Sequence, residues 1–225
     1  MSEIALRPSY WASVSGGKDS LYMLYKILEN PQKYPLDGVV HFELEIDYPF
    51  VKDVIDRMED MCSHLNIPFL RIKPRKSWYE LYEKKGFPSR KVRWCNGLYK
   101  LDCKKQLNKI MADNGKYVVW YIGYCVDEVK RYKQRNDRCE RYPLVEENIV
   151  EDDIGQWAKH NPIFNNYYKF NKRLGCMFCI MSSMREQAYL CLYYPEKYEE
   201  LMTLVKHTEN QVSKKNWKAI FNMES

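Results

Sequence analysis

Six residues, Ser15-Gly16-Gly17-Lys18-Asp19-Ser20, constrain this chain more than any other segment, because of where they stand. The apolar run Tyr10-Trp11-Ala12-Ser13-Val14 precedes them, and Leu21, Leu24, Ile27 and Leu28 follow at helical spacing. The six therefore form a strand-to-helix junction. Two glycines let the backbone turn tightly and bring N–H groups close to an anion. Ser20 or Asp19 can cap the new helix, whose N-terminal dipole favours negative charge. Lys18 adds a full positive charge. The combination reads as a phosphate cradle, and so as a nucleotide site. A Gly-Gly turn with a polar cap is the plain alternative, but it does not call for the lysine. The segment has neither the glycine spacing of a Walker loop nor the G-x-G-x-x-G of a dinucleotide fold.

A length of 225 residues suits one α/β domain with a small appendage. No apolar run approaches the roughly 18 residues needed to span a membrane. Met1-Ser2-Glu3-Ile4 lacks the basic start and apolar stretch of a secretory signal, so a cytoplasmic location is expected. Eight cysteines are too sparse for a disulfide scaffold and point to metal, redox chemistry or burial. The net charge of +6 gathers in Arg71–Lys76, Lys84–Arg93, Lys130–Arg141 and Lys169–Arg173, with 19 tyrosines spread among the charges. Such a mixture suits phosphate contacts and base stacking, so a nucleic acid is an expected partner beside solvated surface.

Strand and helix patterns alternate, as in a mainly parallel sheet with helices on both faces. Strands are expected at Tyr10–Val14, Gly38–Phe42, Phe69–Ile72 and Val118–Ile122. Helices are expected at Ser20–Glu29, Val51–Leu65 and from Cys95 to about Ala112. From Glu151 the pattern becomes helical, at Ile154–Lys159, Met184–Tyr194 and Glu196–Lys206. The expected organisation is a nucleotide-binding domain over 1–150 and a helical C-terminal extension over 151–225 carrying Cys176-x-x-Cys179. Ligands of open parallel sheets sit outside the carboxyl ends of the strands. That edge collects Ser15–Ser20, the residues after Phe42 and those from Gly123 onward. His41 and Phe42 are placed to meet an adenine or ribose.

The loop resembles the PP-loop of the ATP pyrophosphatase superfamily, which implies an adenine nucleotide alpha hydrolase-like fold. It also implies cleavage of ATP between its α and β phosphates, with Mg2+ and with adenylylation of an acceptor. Gly86-Phe87-Pro88-Ser89, Arg93-Trp94-Cys95 and Leu98-Tyr99-Lys100 resemble the Gly-x-Pro, Arg-Trp-Cys and Leu-Lys elements of phosphoadenosine phosphosulfate (PAPS) reductase-like proteins. Gly123, Asp127, Glu128 and Arg131 resemble that family's Gly-Ile-Arg-x-x-Glu-Ser-x-x-Arg stretch, with Tyr124-Cys125 replacing Ile-Arg. Gly175-Cys176-Met177-Phe178-Cys179 resembles the Gly-Cys-x-x-Cys of its iron–sulfur and phosphorothioation-linked branches, with Ile180 where proline is usual. Sulfonucleotide reductases attack with a C-terminal cysteine; Lys206 to Ser225 contains none.

The two-residue gap between Cys176 and Cys179 lets two thiolates grip one metal or cluster. The resemblance makes Cys95 the third ligand. Cys103 is disfavoured as a fourth, since eight residues of continuous helix span about 12 Å. The expected group is a [4Fe-4S] cluster, with Zn2+ as the alternative. The expected activity is ATP-dependent adenylylation leading to sulfur transfer or to modification of a nucleotide or nucleic acid, tRNA or DNA, with a sulfur donor protein as partner. Ser15, Gly16, Gly17, Asp19 and Ser20 would hold phosphates, Lys18 would offset charge on departing pyrophosphate, and Asp19 would meet the magnesium. Arg93, Lys100 and Arg131 are expected anion clamps or solvated surface charge, and Glu128 would orient Arg131 in a structural pair or serve as a base. Two alternatives stand beside this: a sulfonucleotide reductase using Cys103, Cys125 or Cys139, and a non-catalytic nucleotide-binding subunit of a modification complex.

Overall fold

A computed structural model describes residues 6–132 and 139–207. Five strands, β1 (Arg7–Val14), β2 (Gly38–Phe42), β3 (Phe69–Ile72), β4 (Lys116–Tyr121) and β5 (Glu140–Arg141), form one sheet in the order β3-β2-β1-β4-β5. Every pair is parallel. The helices are α1 (Lys18–Glu29), α2 (Pro49–His64), α3 (Trp78–Lys85), α4 (Leu101–Asp113), α5 (Val129–Tyr132), α6 (Pro143–Glu146), α7 (Glu151–His160), α8 (Tyr167–Phe170), α9 (Met184–Tyr193) and α10 (Pro195–Lys206). The expected α/β class with a mainly parallel sheet is the observed one. No helix among the described residues is long and apolar enough to cross a membrane.

Two compact units make up the chain. Among the described residues, one comprises 6–43, Pro49–Lys73, 103–132 and 139–174, and contains the whole sheet; the other comprises Leu44–Tyr48, Pro74–Asp102 and 175–207. Both draw on segments from either side of residue 150.

In the first unit, strand alternation sends Trp11, Val40, Val118 and Trp120 to one face, where they pack with Leu107 of α4. Ala12, Val14, Val39, Val119 and Tyr121 point the other way and are equally buried, as a sheet covered on both faces requires. α1 presents Leu21, Leu24 and Ile27, and α2 presents Val51, Val54, Ile55 and Met58, all buried at helical spacing.

The second unit has an aromatic centre. Trp78 meets Tyr82, Phe87, Trp94 and Phe178 at ring-centroid separations of 5.4–5.8 Å. A capping box at Ser77 and Glu80 starts α3, which carries Trp78. The helix expected from Cys95 begins instead as a π-helical turn, Cys95–Lys100, before α4 takes over at Leu101.

Trp11 and Gly38 are partners in the β1–β2 register, and a Cβ at Gly38 would lie 2.6 Å from the Trp11 ring. The indole occupies the space a side chain would need. Gly38→Ala is expected to destabilise the protein by about 1–3 kcal/mol, the usual penalty of overpacking, read as a lower urea midpoint at unchanged slope.

Candidate functional site

With strand order 3-2-1-4-5, successive connections leave β1 in opposite directions, so the crevice for a ligand opens at the carboxyl ends of β1 and β4. The loop Ser15–Gly17 leaves β1 there, and Gly123 follows β4. A Cβ on Gly123 would come within 2.9 Å of the Asp19 carbonyl oxygen, so the two loops touch through bare backbone. Gly16 has φ +72°, and a Cβ there would lie 2.7 Å from Val51 Cγ1. Both conditions explain a glycine at 16.

The capping expectation needs correction. α1 starts at Lys18 with Gly17 as N-cap, and no side chain caps it. Ser20 instead braces the turn from inside the helix: its hydroxyl donates to Gly17 O (2.9 Å) and accepts from Ser15 N (3.1 Å). Ser15 Oγ lies 3.3 Å from Ser20 Oγ.

Lys18 is 1% exposed. Its ammonium donates to Asp19 Oδ1 (2.6 Å) and Glu151 Oε1 (3.2 Å), while its backbone N–H donates to Tyr168 Oη (2.9 Å). Burial works against the ammonium, yet Asp19 and then Glu151 hold its pKa above the usual lysine value. Burial also raises Asp19, and Glu151 and Glu128 add to that against the pull of Lys18. The loop thus holds one cation among several carboxylates. Glu151 opens α7, where its own N–H donates to Asp127 Oδ1 (3.1 Å). Glu128 accepts from Cys125 N at 3.1 Å, closing the turn after β4. Glu151 and Tyr168 carried no signal in the sequence: they lie 133 and 150 positions from Lys18.

His41 and Phe42 close β2. His41 is 4% exposed, and its Nδ1 donates to Val14 O at 3.0 Å, across from its ladder partner. Phe42 packs edge-on to Trp120 at 6.2 Å. The side chain of Arg131 lies outside the described residues, and Arg93 is exposed.

The cysteine site belongs to the second unit. Trp94 and Phe178, both packed on Trp78, place their neighbours Cys95 and Cys179 within electrostatic reach of each other. Cys179 N–H donates to Cys176 O at 3.1 Å, and the two thiols are hydrogen-bonded. Met177 N donates to Ile46 O (2.8 Å), which brings Asp47 alongside. Cys95, Cys176, Cys179, Lys100 and Asp47 all remain half-buried. The bond to Cys179, then burial, raises the Cys176 thiol against the pull of Lys100; burial raises Cys95. The Lys100 ammonium is held up first by Cys176, and against burial also by Asp47, Cys179 and Cys95. Burial pushes Asp47 up to about 6, opposed by Lys100. Among the described residues no three His, Cys, Asp or Glu side chains close on a single ion. Three thiols around one ammonium are nonetheless a soft, charge-compensated donor set suited to a thiolate-bound group.

The other cysteines lie elsewhere. Cys103 is buried and its thiol donates to Ile72 O at 3.5 Å. Cys125 is buried in the loop region, and burial with Asp19 and Glu128 nearby drives its pKa far upward, so its thiol stays protonated.

The fold and loop define a doubly wound parallel α/β protein with a lysine-bearing glycine turn at its switch point. No family model matches the sequence. The chain is 25% identical to an uncharacterized protein of Methanocaldococcus jannaschii over 92% of its own length and 50% of that protein's, so it spans about half of that curated relative. Among solved structures, the U34-tRNA thiolase NcsA from Methanococcus maripaludis with its [4Fe-4S] cluster superposes with a TM-score of 0.43 at 17% identity, over 94% of this chain and 77% of that one.

His41 gives the site a pH signature. Burial holds its pKa below the ordinary 6.5; the Val14 carbonyl offsets part of this and Arg71 adds to it. The unfolded chain therefore binds a proton that the folded chain refuses, so stability is full above 6.5 and falls as pH drops below it. Urea unfolding at about pH 7.5 and about pH 5.5 measures the loss; His41→Gln is expected to reduce it.

Proposed function

We propose that this protein is an ATP-dependent adenylylating enzyme of the PP-loop type, acting in sulfur transfer to a nucleotide or nucleic acid. The observation that carries the reading is Lys18: a buried ammonium and a bare glycine turn stand together at the switch point of a parallel sheet. Triphosphate would lie along Ser15–Ser20, with Gly123 allowing close approach from β4. An acceptor oxygen would attack the α-phosphorus, the bond to the bridging oxygen would break, and pyrophosphate would leave with that electron pair. Lys18 would meet the charge growing on the leaving group, and Asp19 would meet the accompanying Mg2+.

Cys95, Cys176 and Cys179 would hold an iron–sulfur cluster, which when bound supplies a site for sulfur. A single zinc held by the same thiolates is the alternative. Lys100 would offset thiolate charge, with Asp47 keeping the ammonium in place.

The acceptor reading rests on one turn. Ser89 N donates to Val92 O (3.1 Å) and Val92 N to Ser89 Oγ (2.9 Å), which presents Arg90, Lys91 and Arg93 outward. Lys84 and Lys85 are exposed as well, and no acidic residue lies between Lys84 and Arg93. This run leads into Cys95, so a nucleic-acid strand is the acceptor chemistry it suits. The sulfonucleotide reductase alternative loses Cys103 and Cys125, both buried and engaged.

Release of pyrophosphate and AMP from ATP with RNA or DNA acceptors tests the reading; a protein that binds ATP without turnover would instead be a nucleotide-binding subunit. Lys18→Ala is expected to lower pyrophosphate release about 100- to 1000-fold, the loss typical of one charge-stabilising donor. Replacing Lys84, Lys85, Arg90 and Lys91 with alanine is expected to flatten the salt dependence of oligonucleotide affinity by about 0.7 in log–log slope per lost contact. Anaerobic reconstitution should yield iron and sulfide, and less of both in Cys95→Ala.

A further inference from the structure

The loop's two donors at Lys18 are both engaged by oxygen atoms from distant parts of the same unit. Tyr168 Oη accepts the backbone N–H at 2.9 Å and Glu151 Oε1 accepts the ammonium at 3.2 Å. Tyr168 Oη also lies 3.4 Å from where a Cβ on Gly17 would be, directly over the bare turn, and its ring is 6.0 Å from Lys18 Nζ. These are the groups that a phosphate would need to reach. Resting on the nucleotide reading above, we propose that Tyr168 and Glu151 are positioning residues that compete with phosphate oxygens for the two Lys18 donors and yield them when the triphosphate enters.

The charges support an exchange rather than an addition. Lys18 already faces two carboxylates, with a third, Glu128, acting on Asp19. A phosphate that joined this group without displacing an anion would meet net repulsion. Asp19 adjoins Lys18 in the chain and makes the shorter contact, 2.6 Å against 3.2 Å. Glu151 makes the longer contact and has the more exposed side chain, 39% against 30%. Glu151 is therefore the carboxylate that leaves. Asp127 fixes the Glu151 backbone, so the side chain can swing away while α7 stays in place. Tyr168 sits in the short helix α8, and a shift of its ring that carries Oη off the Lys18 amide frees the donor.

Both contacts occupy donors that the ligand needs, so removing either should tighten ligand binding. Calorimetry with MgATP and with pyrophosphate on the whole chain tests this in the wild type, Tyr168→Phe, Glu151→Gln and Glu151→Asp. Loss of one such hydrogen bond from the empty state should improve affinity about two- to tenfold in Tyr168→Phe and Glu151→Gln. Glu151→Asp, which keeps the charge but shortens the reach, should fall between wild type and Glu151→Gln. In steady state, Glu151→Gln should lower KM for ATP without raising kcat, whereas damage to packing would raise KM and lower kcat. If the wild type binds and the variants bind equally or more weakly, the exchange is wrong while the nucleotide reading stands. If neither wild type nor variants bind, the nucleotide reading falls and takes the exchange with it. Binding by the variants alone would support both.

Discussion

Parallel pairing of β1 with β2 on one side and β4 on the other is the constraint on which the loop depends. A central strand ends where its neighbours' connections part, and that parting is what leaves room for a ligand. The pairing is held by residues with no chemistry of their own. Trp11 covers Gly38 and packs with Trp120 and Val40, while His41 ties β2 to Val14, the last residue of β1. The loop begins one residue later. Close neighbours demand a glycine at 16 in this loop and at 123 after β4, since Val51 closes on Gly16 and Asp19 on Gly123.

Two lysines stand in different electrostatic settings. Lys18 contacts two carboxylates directly, Asp19 at 2.6 Å and Glu151 at 3.2 Å. Lys100 is acted on by Asp47 and three thiols, of which Cys95 and Cys176 have raised pKa values. At Lys100 the ammonium pulls down the same thiols that burial pushes up.

What could be read from the sequence followed local periodicity. The strand, glycine turn and helix at Tyr10–Leu28 are contiguous, and the buried faces of α1 and α2 repeat at helical spacing. α3 was not expected, because a short helix with Trp78 and Leu81 as its only buried residues makes a weak stripe. Glu151, Tyr168 and Asp47 were hidden for a different reason. Glu151 reads as one of three acids opening a helix, and Tyr168 as one of many tyrosines; only the fold brings them to Lys18. Asp47 lies in a stretch after β2 with no repeat, and gains meaning only through the bond from Met177 to Ile46. Ser20 was legible as a loop residue but not in its role, because a brace inside the first turn and an N-cap leave the same letters.

The π-helical turn at Cys95–Lys100 explains a spacing that an ordinary helix would waste. At 3.6 residues per turn, five positions advance about 500°, leaving the two side chains about 140° apart on the cylinder. Bonding from i to i+5, as between Leu101 N–H and Asn96 O, widens the turn and brings residues five apart back toward one side. Cys95 and Lys100 are five apart, and each acts electrostatically on the other. The wide turn ends where α4 begins, and Cys103 in that helix bonds to Ile72 in the sheet unit. A single change of helical pitch therefore separates a cysteine that shares its neighbourhood with an ammonium from one that is only part of a core. Spacing alone, read at the usual pitch, gives the first pair no reason to meet.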